Sequence, residues 1–146
     1  MPAPAMDAIG VPASLSALER VADYVRALAE QGHLPANVAY RLRLAADEIV
    51  TNIIMHGYGE SSGEIQLSGG VEWDHVWLRV ADDAPPFDPR TVHLAPQPGV
   101  PFQEMRLGGL GLFLTREAVD GFSYEFSNGR NINTLTISYA SYGGCG

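Results

Sequence analysis

A carboxylate and a carboxamide, Glu48 and Asn52, stand four residues apart in the sequence. In a helix this spacing projects both side chains from one face, away from the apolar face that Leu42, Ile49 and Ile53 form. An amide oxygen is a hard ligand suited to Mg²⁺, which keeps several waters and bridges phosphates. A carboxylate can orient or deprotonate a hydroxyl nucleophile. Taken alone, such a pair is more often part of a solvated helix face.

A second group of polar residues follows a strand-like run, where Asp82 and Asp83 precede Ala84 and two prolines. A carboxylate at a strand end can accept a hydrogen bond from the exocyclic amine of adenine. The alternative is an ordinary turn, in which Asp and Pro are the expected residues.

A third group is glycine-rich, with Gly108, Gly109 and Gly111 at the start of a helical pattern. Glycines at a helix start let backbone N–H groups approach phosphate oxygens, and the helix dipole favours the negative charge there. The Gly-Lys-Ser/Thr ending of a P-loop is missing, and all nine basic residues of the chain are arginines. Any phosphate-binding cation must therefore be an arginine, and Arg106 directly precedes the glycines. A solvated surface arginine is the equally expected alternative for Arg106.

The composition indicates one soluble domain of 146 residues with a formal net charge of −8. That charge argues against non-specific nucleic-acid binding, because phosphate backbones attract basic surfaces. A single cysteine, Cys145, excludes an intramolecular disulfide and favours a reducing compartment. We find neither a signal peptide nor an apolar run of membrane-spanning length. The sequence thus predicts a cytoplasmic protein without membrane or direct nucleic-acid contacts.

The elements that must position these groups follow from hydrophobic periodicity. Residues 1–12, rich in Pro and Ala, are predicted to be loosely ordered, and residues 141–146 form a Gly-rich tail. Between them, residues 13–140 form one domain. Its predicted helices cover residues 13–32, 36–57 and 108–120, and its predicted strands cover residues 64–71, 73–81, 122–126 and 133–138. This order indicates an α+β two-layer sandwich, with helices on one face of a mixed or antiparallel sheet.

Together and in this order, the three groups resemble the N, G1 and G2 boxes of the GHKL (Bergerat-type) ATPases. In detail they resemble the anti-sigma-factor serine kinases of that superfamily. Four stretches carry the resemblance, namely residues 46–58, 86–89, 108–114 and 131–136. Several motifs in the right order are far more specific than any one of them. The resemblance extends from about residue 13 to residue 139.

The resemblance implies a role for individual residues. Glu48 would be the general base toward a protein serine, Asn52 would ligate Mg²⁺, and Asp82 would accept a hydrogen bond from adenine N6. The family's first-box glycine falls on Ala84, whose methyl group is tolerated only if φ is negative. The phosphates would lie against Gly108, Gly109 and Gly111, residues 90–107 would form an ATP lid, and Arg106 would reach the γ-phosphate or a partner. Thr136, on the last strand, is also predicted to contact the cofactor.

The resemblance also implies a function. The chain would be an ATP- and Mg²⁺-dependent protein serine/threonine kinase and anti-sigma factor. It would hold a sigma factor and phosphorylate an anti-anti-sigma (STAS-domain) protein in a partner switch, as a homodimer. One alternative is a nucleotide-sensing partner-binding module without phosphotransfer. Another is an α+β scaffold that binds no nucleotide.

Overall fold

The protein is described by a computed structural model that covers residues 6–58, 62–88 and 118–139. In chain order the described elements are β1 (Met6–Pro12), α1 (Leu18–Gly32), α2 (Ala36–Asn52), β2 (Glu64–Val71), β3 (His75–Asp82), β4 (Gly121–Ser127) and β5 (Arg130–Ser138). A 3₁₀ turn precedes α1, and a π-helix continues α2. The predicted third helix, the segment 90–107 and the tail 141–146 lie outside the described residues, apart from the end of that helix near residue 118.

The five strands form one sheet in the order β1-β2-β3-β5-β4, and every neighbouring pair is antiparallel. The predicted α+β two-layer class is confirmed, and the described sheet is antiparallel rather than mixed. In the central pair, Asp82 lies opposite Asn131 at one end, and His75 lies opposite Ser138 at the other. The register therefore places the last residue of β3 beside the start of β5.

Both helices pack on the same face of the sheet, α1 against β2 and α2 against β3 and β5. Their apolar residues recur every three or four positions, which gives each helix one buried stripe. The strands contribute every second residue to the same core. The largest fully buried side chains are Leu28, Leu42, Ile49, Ile65, Leu67, Leu78, Leu135 and Ile137. Each contributes about 1.5–3 kcal/mol by leaving water, so this core fixes α2 over the strands that carry Asp82 and Asn131.

The N-terminal segment differs from the prediction. Met6–Pro12 form the edge strand β1, which pairs with β2, whereas we predicted loose order for residues 1–12. The cause is backbone pairing, which composition does not reveal, together with the burial of Val11 and the partial burial of Ile9 on the core side. Small residues such as Ala8 and Gly10 hid this short apolar alternation in the sequence.

Positive φ angles occur where two connections require them. Asn128 (φ 54°) and Gly129 (φ 77°) form the predicted turn between β4 and β5, and a two-residue hairpin of this kind needs φ > 0 at both positions. At the end of α1 the left-handed residue is His33 (φ 51°), not Gly32. A Cβ on Gly32 would lie 2.6 Å from the methyl groups of Val71. Gly32 thus allows the close approach of α1 to β2.

The π-helix, Ile53–Tyr58, connects α2 to the sheet. At its end, the buried Tyr58 hydroxyl donates to the carbonyl oxygen of Glu64 (2.9 Å) and accepts from the backbone N–H of Asp83 (2.9 Å). These two bonds join the end of the helix to the start of β2 and to the turn after β3. Short π-helical segments within α-helices occur frequently at functional sites. None of the helices in the described ranges is long and apolar enough to cross a bilayer.

Candidate functional site

Asn52 is the last residue of α2 and is only 4% exposed. Its Nδ2 donates to the backbone carbonyl of Glu48 (2.9 Å), and because a carbonyl only accepts, the orientation of the amide is fixed. The amide oxygen Oδ1 is buried and has no hydrogen-bond partner in the described part of the chain. A buried acceptor left unpaired costs free energy, and such atoms in native proteins call for a ligand, ion or water. The chemistry of this oxygen fits Mg²⁺, and its role as a metal ligand stays a prediction.

Asp82, the last residue of β3, is 2% exposed. Its Oδ1 accepts from the backbone N–H of Ala84 (3.0 Å) and from Nδ2 of Asn131 (2.9 Å). Within the described residues, these hydrogen bonds all end on Oδ1. Burial raises the pKa of the Asp82 carboxyl above its ordinary value of 3.8, and the hydrogen bonds from Asn131 and Ala84 oppose that rise. No hydrogen bond to the second carboxylate oxygen is found among the described residues.

A cavity of about 10 Å³ lies between the end of α2 and the end of β3. Its lining residues are Ile49, Asn52, Ile53, Gly57, Asp82, Phe87, Asn131 and Asn133. Such a volume holds about one water molecule. The structure therefore brings Asn52 and Asp82 together, as the sequence predicts. A larger groove of about 680 Å³ runs between α1 and α2 and is lined by none of the predicted site residues in the described ranges.

Ala84 is the residue that the resemblance aligns with the first-box glycine of the GHKL ATPases. It is 3% exposed, belongs to the hydrophobic core, and is not among the described residues with positive φ. A Cβ on Gly57 would lie 3.4 Å from the Ala84 methyl, so this methyl packs toward the π-helix. Ala84 is also not one of the residues that line the small cavity. The methyl group is therefore compatible with the local backbone and occupies core space.

We expect Ala84→Gly to lower stability without improving nucleotide affinity. Loss of one buried methyl costs about 0.8 kcal/mol, and the added freedom of the unfolded chain costs about 0.4–1 kcal/mol more. Urea denaturation measures the stability change, and calorimetric titration with Mg-ATP measures the affinity. A tenfold gain in affinity for the glycine variant would show instead that the methyl obstructs the base.

Glu48 lies one helical turn before Asn52 and is half-buried. The neighbouring carboxylate, Asp47, accepts from Nε of Arg43 at 3.1 Å. Burial raises the pKa of the Asp47 carboxyl, and the Arg43 guanidinium opposes this rise. Asp47 is thus held in an ion pair along its own helix. Glu48 shares its turn of α2 with the Mg²⁺ candidate Asn52.

Thr136 is not brought to this site. It pairs with Trp77 and Gly121, near the far end of β5 from Asn131. A Cβ on Gly121 would lie 2.2 Å from the Thr136 hydroxyl oxygen, so this side chain lies over Gly121. The parity of the strand explains the difference, because successive side chains point to opposite faces of a sheet. Thr136 is thus on the face opposite to Asn131 and Asn133, and its cofactor contact stays a prediction.

Comparison with known families decides the classification of the chain. The model of the histidine kinase-like ATPase domain matches residues 11–138. The chain belongs to this family. The match includes α2 and both strands, β3 and β5, that surround the small cavity, and it confirms the GHKL-type ATPase class predicted from the three motifs.

Curated relatives of this histidine kinase-like ATPase domain include proteins named serine-protein kinase RsbW. One from Oceanobacillus iheyensis is 35% identical over 83 residues, covering 54% of this chain and 52% of the relative. One from Listeria innocua is 33% identical over 95 residues, covering 62% and 60% respectively. One from Bacillus velezensis is 33% identical over 105 residues, covering 69% and 62%. The matches thus span about half to three fifths of the length of these relatives.

Two solved structures share the fold. The RsbU and RsbW domains of Rv1364c from Mycobacterium tuberculosis align with a TM-score of 0.60 at 18% identity, over 93% of this chain and 34% of that one. The catalytic domain of histidine kinase ThkA aligns with a TM-score of 0.51 at 15% identity, over 91% and 97% respectively. At these identities the likeness concerns the fold, which agrees with two helices packed on an antiparallel sheet.

Sequence reasoning missed two residues of the candidate site in this histidine kinase-like ATPase domain. Asn131 and Asn133 are 2% and 1% exposed and line the small cavity, where Oδ1 of Asn133 is a second buried acceptor without a partner in the described residues. A signal was present in the sequence. Both alternate with Leu135 and Ile137, so two amides stand on the apolar face of the strand. Buried amides on a core face indicate a polar site.

The remaining predicted site residues lie outside the described ranges. They are Arg106, Gly108, Gly109 and Gly111, together with the proposed lid at residues 90–107. Their assignment to the phosphates stays a prediction.

Proposed function

We propose that this chain is a Mg-ATP-dependent protein serine kinase that acts as an anti-sigma factor. The observation that carries this proposal is the buried Oδ1 of Asn52, which has no hydrogen-bond partner among the described residues and shares a cavity with the Asp82 carboxylate. The names of the curated relatives, serine-protein kinase RsbW, support the reaction type. The family supports the nucleotide.

The two ends of the nucleotide would be read by different elements. The second oxygen of Asp82 would accept from the 6-amino group of adenine, because its first oxygen already accepts two hydrogen bonds. Asn52 would hold Mg²⁺ through Oδ1, while its Nδ2 stays bonded to the Glu48 carbonyl. Mg²⁺ held there would neutralise part of the phosphate charge. The glycines at residues 108, 109 and 111 and Arg106 would line the phosphates.

Glu48 would act on the protein substrate. As a half-buried carboxylate one turn from Asn52, it would accept the proton of the serine hydroxyl as that oxygen bonds to the γ-phosphorus. The bond from the γ-phosphorus to the bridging oxygen would break in the same transfer, and ADP would leave. Phosphoryl transfer needs little more than alignment and charge neutralisation from the protein. In the partner switch that we propose, the substrate is a STAS-domain anti-anti-sigma protein, and the alternative partner is a sigma factor. Homodimer formation, implied by the resemblance, stays a prediction that sedimentation equilibrium tests.

Calorimetric titration of Mg-ATP into wild-type protein and Asn52→Ala tests the nucleotide site. We expect saturable binding by the wild type and loss of its Mg²⁺-dependent part in the variant, because alanine removes the only buried oxygen offered by that side chain. Asn37→Ala, an exposed asparagine at the start of the same helix, is the matched control and should bind normally. Retained affinity with a normal Mg²⁺ dependence in Asn52→Ala would contradict the ligand role. Lack of wild-type binding at millimolar ATP would overturn the proposed function.

A further inference from the structure

The amide of Asn131 makes hydrogen bonds with five groups from three parts of the chain. Its Nδ2 donates to Oδ1 of Asp82 (2.9 Å), and to the carbonyl oxygens of Ala84 (3.0 Å) and Pro85 (3.2 Å). Its Oδ1 accepts from the backbone N–H of Phe87 (3.0 Å) and from the Tyr124 hydroxyl. One side chain thus links β3, the turn that follows it, and β4.

The chemistry of the partners fixes which way this amide faces. Carbonyl and carboxylate oxygens only accept, whereas the Phe87 N–H only donates. The nitrogen must therefore face Asp82, and the oxygen must face Phe87 and Tyr124. A flipped amide would place like groups together on both sides. Because Asn131 is 2% exposed, no water replaces these partners cheaply.

The amide nitrogen has consequences for the carboxylate beside it. Asn131 lies directly opposite Asp82 in the antiparallel register. The Asn131 amide and the Ala84 N–H both donate to Oδ1 of Asp82. A further donor would therefore bond to the other carboxylate oxygen. The same hydrogen bond lowers the pKa of Asp82 against the rise caused by burial. An ionised carboxylate accepts from an amine but repels a carbonyl oxygen.

We propose that Asn131 is a positioning residue for recognition of the base, holding the Asp82 carboxylate and the turn at residues 82–87 in the orientation that selects a 6-amino purine over a 6-oxo purine. This inference rests on the proposed nucleotide site. Asn131 acts through Asp82, so its loss should change the selectivity between the two purines. Tyr124 supports it by holding the amide oxygen.

The test compares the affinities for Mg-ATP and Mg-ITP, the inosine nucleotide that carries a carbonyl in place of the 6-amino group. In Asn131→Ala, we expect Mg-ATP affinity to fall about tenfold or more, as for loss of a hydrogen bond to a charged group. Mg-ITP affinity should change less, so the ATP/ITP affinity ratio falls. Mg-ATP binding should also weaken on acidification at a higher pH than in the wild type, because Asp82 loses a hydrogen bond that lowers its pKa.

Two further variants make the result interpretable. Tyr124→Phe removes the hydrogen bond from the Tyr124 hydroxyl to Oδ1 of Asn131 and should lower the ATP/ITP ratio in the same direction by a smaller factor. It also keeps the test decisive if Asn131→Ala does not fold. Val76→Ala creates a core defect at the opposite end of β3, where Val76 pairs with Ile137, and should lower stability while leaving the ratio unchanged.

The outcomes separate the two proposals. Wild-type binding of Mg-ATP with an unchanged ratio in both Asn131→Ala and Tyr124→Phe overturns the positioning role alone. An equal loss for the two nucleotides reveals a purely structural role for Asn131 and overturns the inference in the same way. Absence of wild-type affinity for either nucleotide overturns the nucleotide site itself, and the inference with it.

Discussion

Glu48→Gln should phosphorylate the STAS-domain partner at a rate lower by about 10²-fold or more, the usual effect of losing a general base. Glutamine keeps the size and polarity of the side chain but does not take up a proton at neutral pH. The affinity for Mg-ATP should not change, because in our proposal Glu48 contacts the protein hydroxyl and Asn52 the metal. Incorporation of labelled phosphate into the partner, measured at saturating Mg-ATP, gives the rate.

Asp47→Asn is the matched control for this experiment. Asp47 is the adjacent carboxylate on α2, and it is paired with Arg43. We expect its amide variant to phosphorylate the partner normally. An equal loss in the two variants, or full activity of Glu48→Gln, would show that Glu48 is not the base. Wild-type protein that binds Mg-ATP and partner but transfers no phosphate would identify a nucleotide-sensing module instead.

Asp82→Asn should lose affinity for Mg-ATP by about 100-fold or more, because a charge-assisted hydrogen bond is replaced by two donors facing each other. The asparagine oxygen can still accept from Ala84 and Asn131, so the turn keeps its hydrogen bonds. Only the group facing the ligand changes, from an acceptor to an NH₂ donor. Calorimetric titration with Mg-ATP measures the loss.

Compared with the wild type, Asp82→Asn should be more stable at neutral pH than at acidic pH. The folded-state pKa of Asp82 is raised above its ordinary value of 3.8. Wild-type protein therefore has a stability contribution that is present below that value and is lost as the pH rises through the folded-state pKa. Asparagine does not titrate, so the stability of the variant minus that of the wild type should increase from pH 4 to pH 7. Urea denaturation without nucleotide at both pH values measures it.

Asp83→Asn is the control for the affinity measurement. Its carboxylate is exposed and pairs with Nε of Arg130 at 3.2 Å. We expect normal Mg-ATP affinity. A stability difference for Asp82→Asn that decreases toward pH 7 would contradict the burial of an ionised carboxylate at this position.

Local patterns predicted much of the fold. The apolar stripes of α1 and α2 and the alternation in β2 and β3 are strong because burial imposes a period on each element. The Asn128-Gly129 hairpin was predictable because few residues tolerate positive φ. Strand β1 was not, since a short edge strand is stabilised by pairing with β2, a contact between residues more than fifty positions apart.

The candidate site was predicted in part for a similar reason. Asn52 and Asp82 could be recognised because they stand in motifs with a fixed order. Asn131 could not be assigned a role, because its importance depends on lying opposite Asp82 in the register of β3 and β5. Thr136 lies on the opposite face of β5 from Asn131 and Asn133, because successive side chains of a strand point to opposite faces. The two-residue alternation along β5 would instead have indicated Asn133, which lines the small cavity.

The π-helix between Asn52 and Tyr58 restricts insertions and deletions in this part of the chain. One end is held by the hydrogen bond from the Asn52 side-chain amide to the Glu48 carbonyl. The other end is held by the two hydrogen bonds of the Tyr58 hydroxyl. Removing one residue would turn Tyr58 about the helix axis relative to α2 and break its hydrogen bonds to the sheet and the turn. Sequence length should therefore be invariant here, even where side chains differ between relatives. Loop grafts or tags belong elsewhere in the protein.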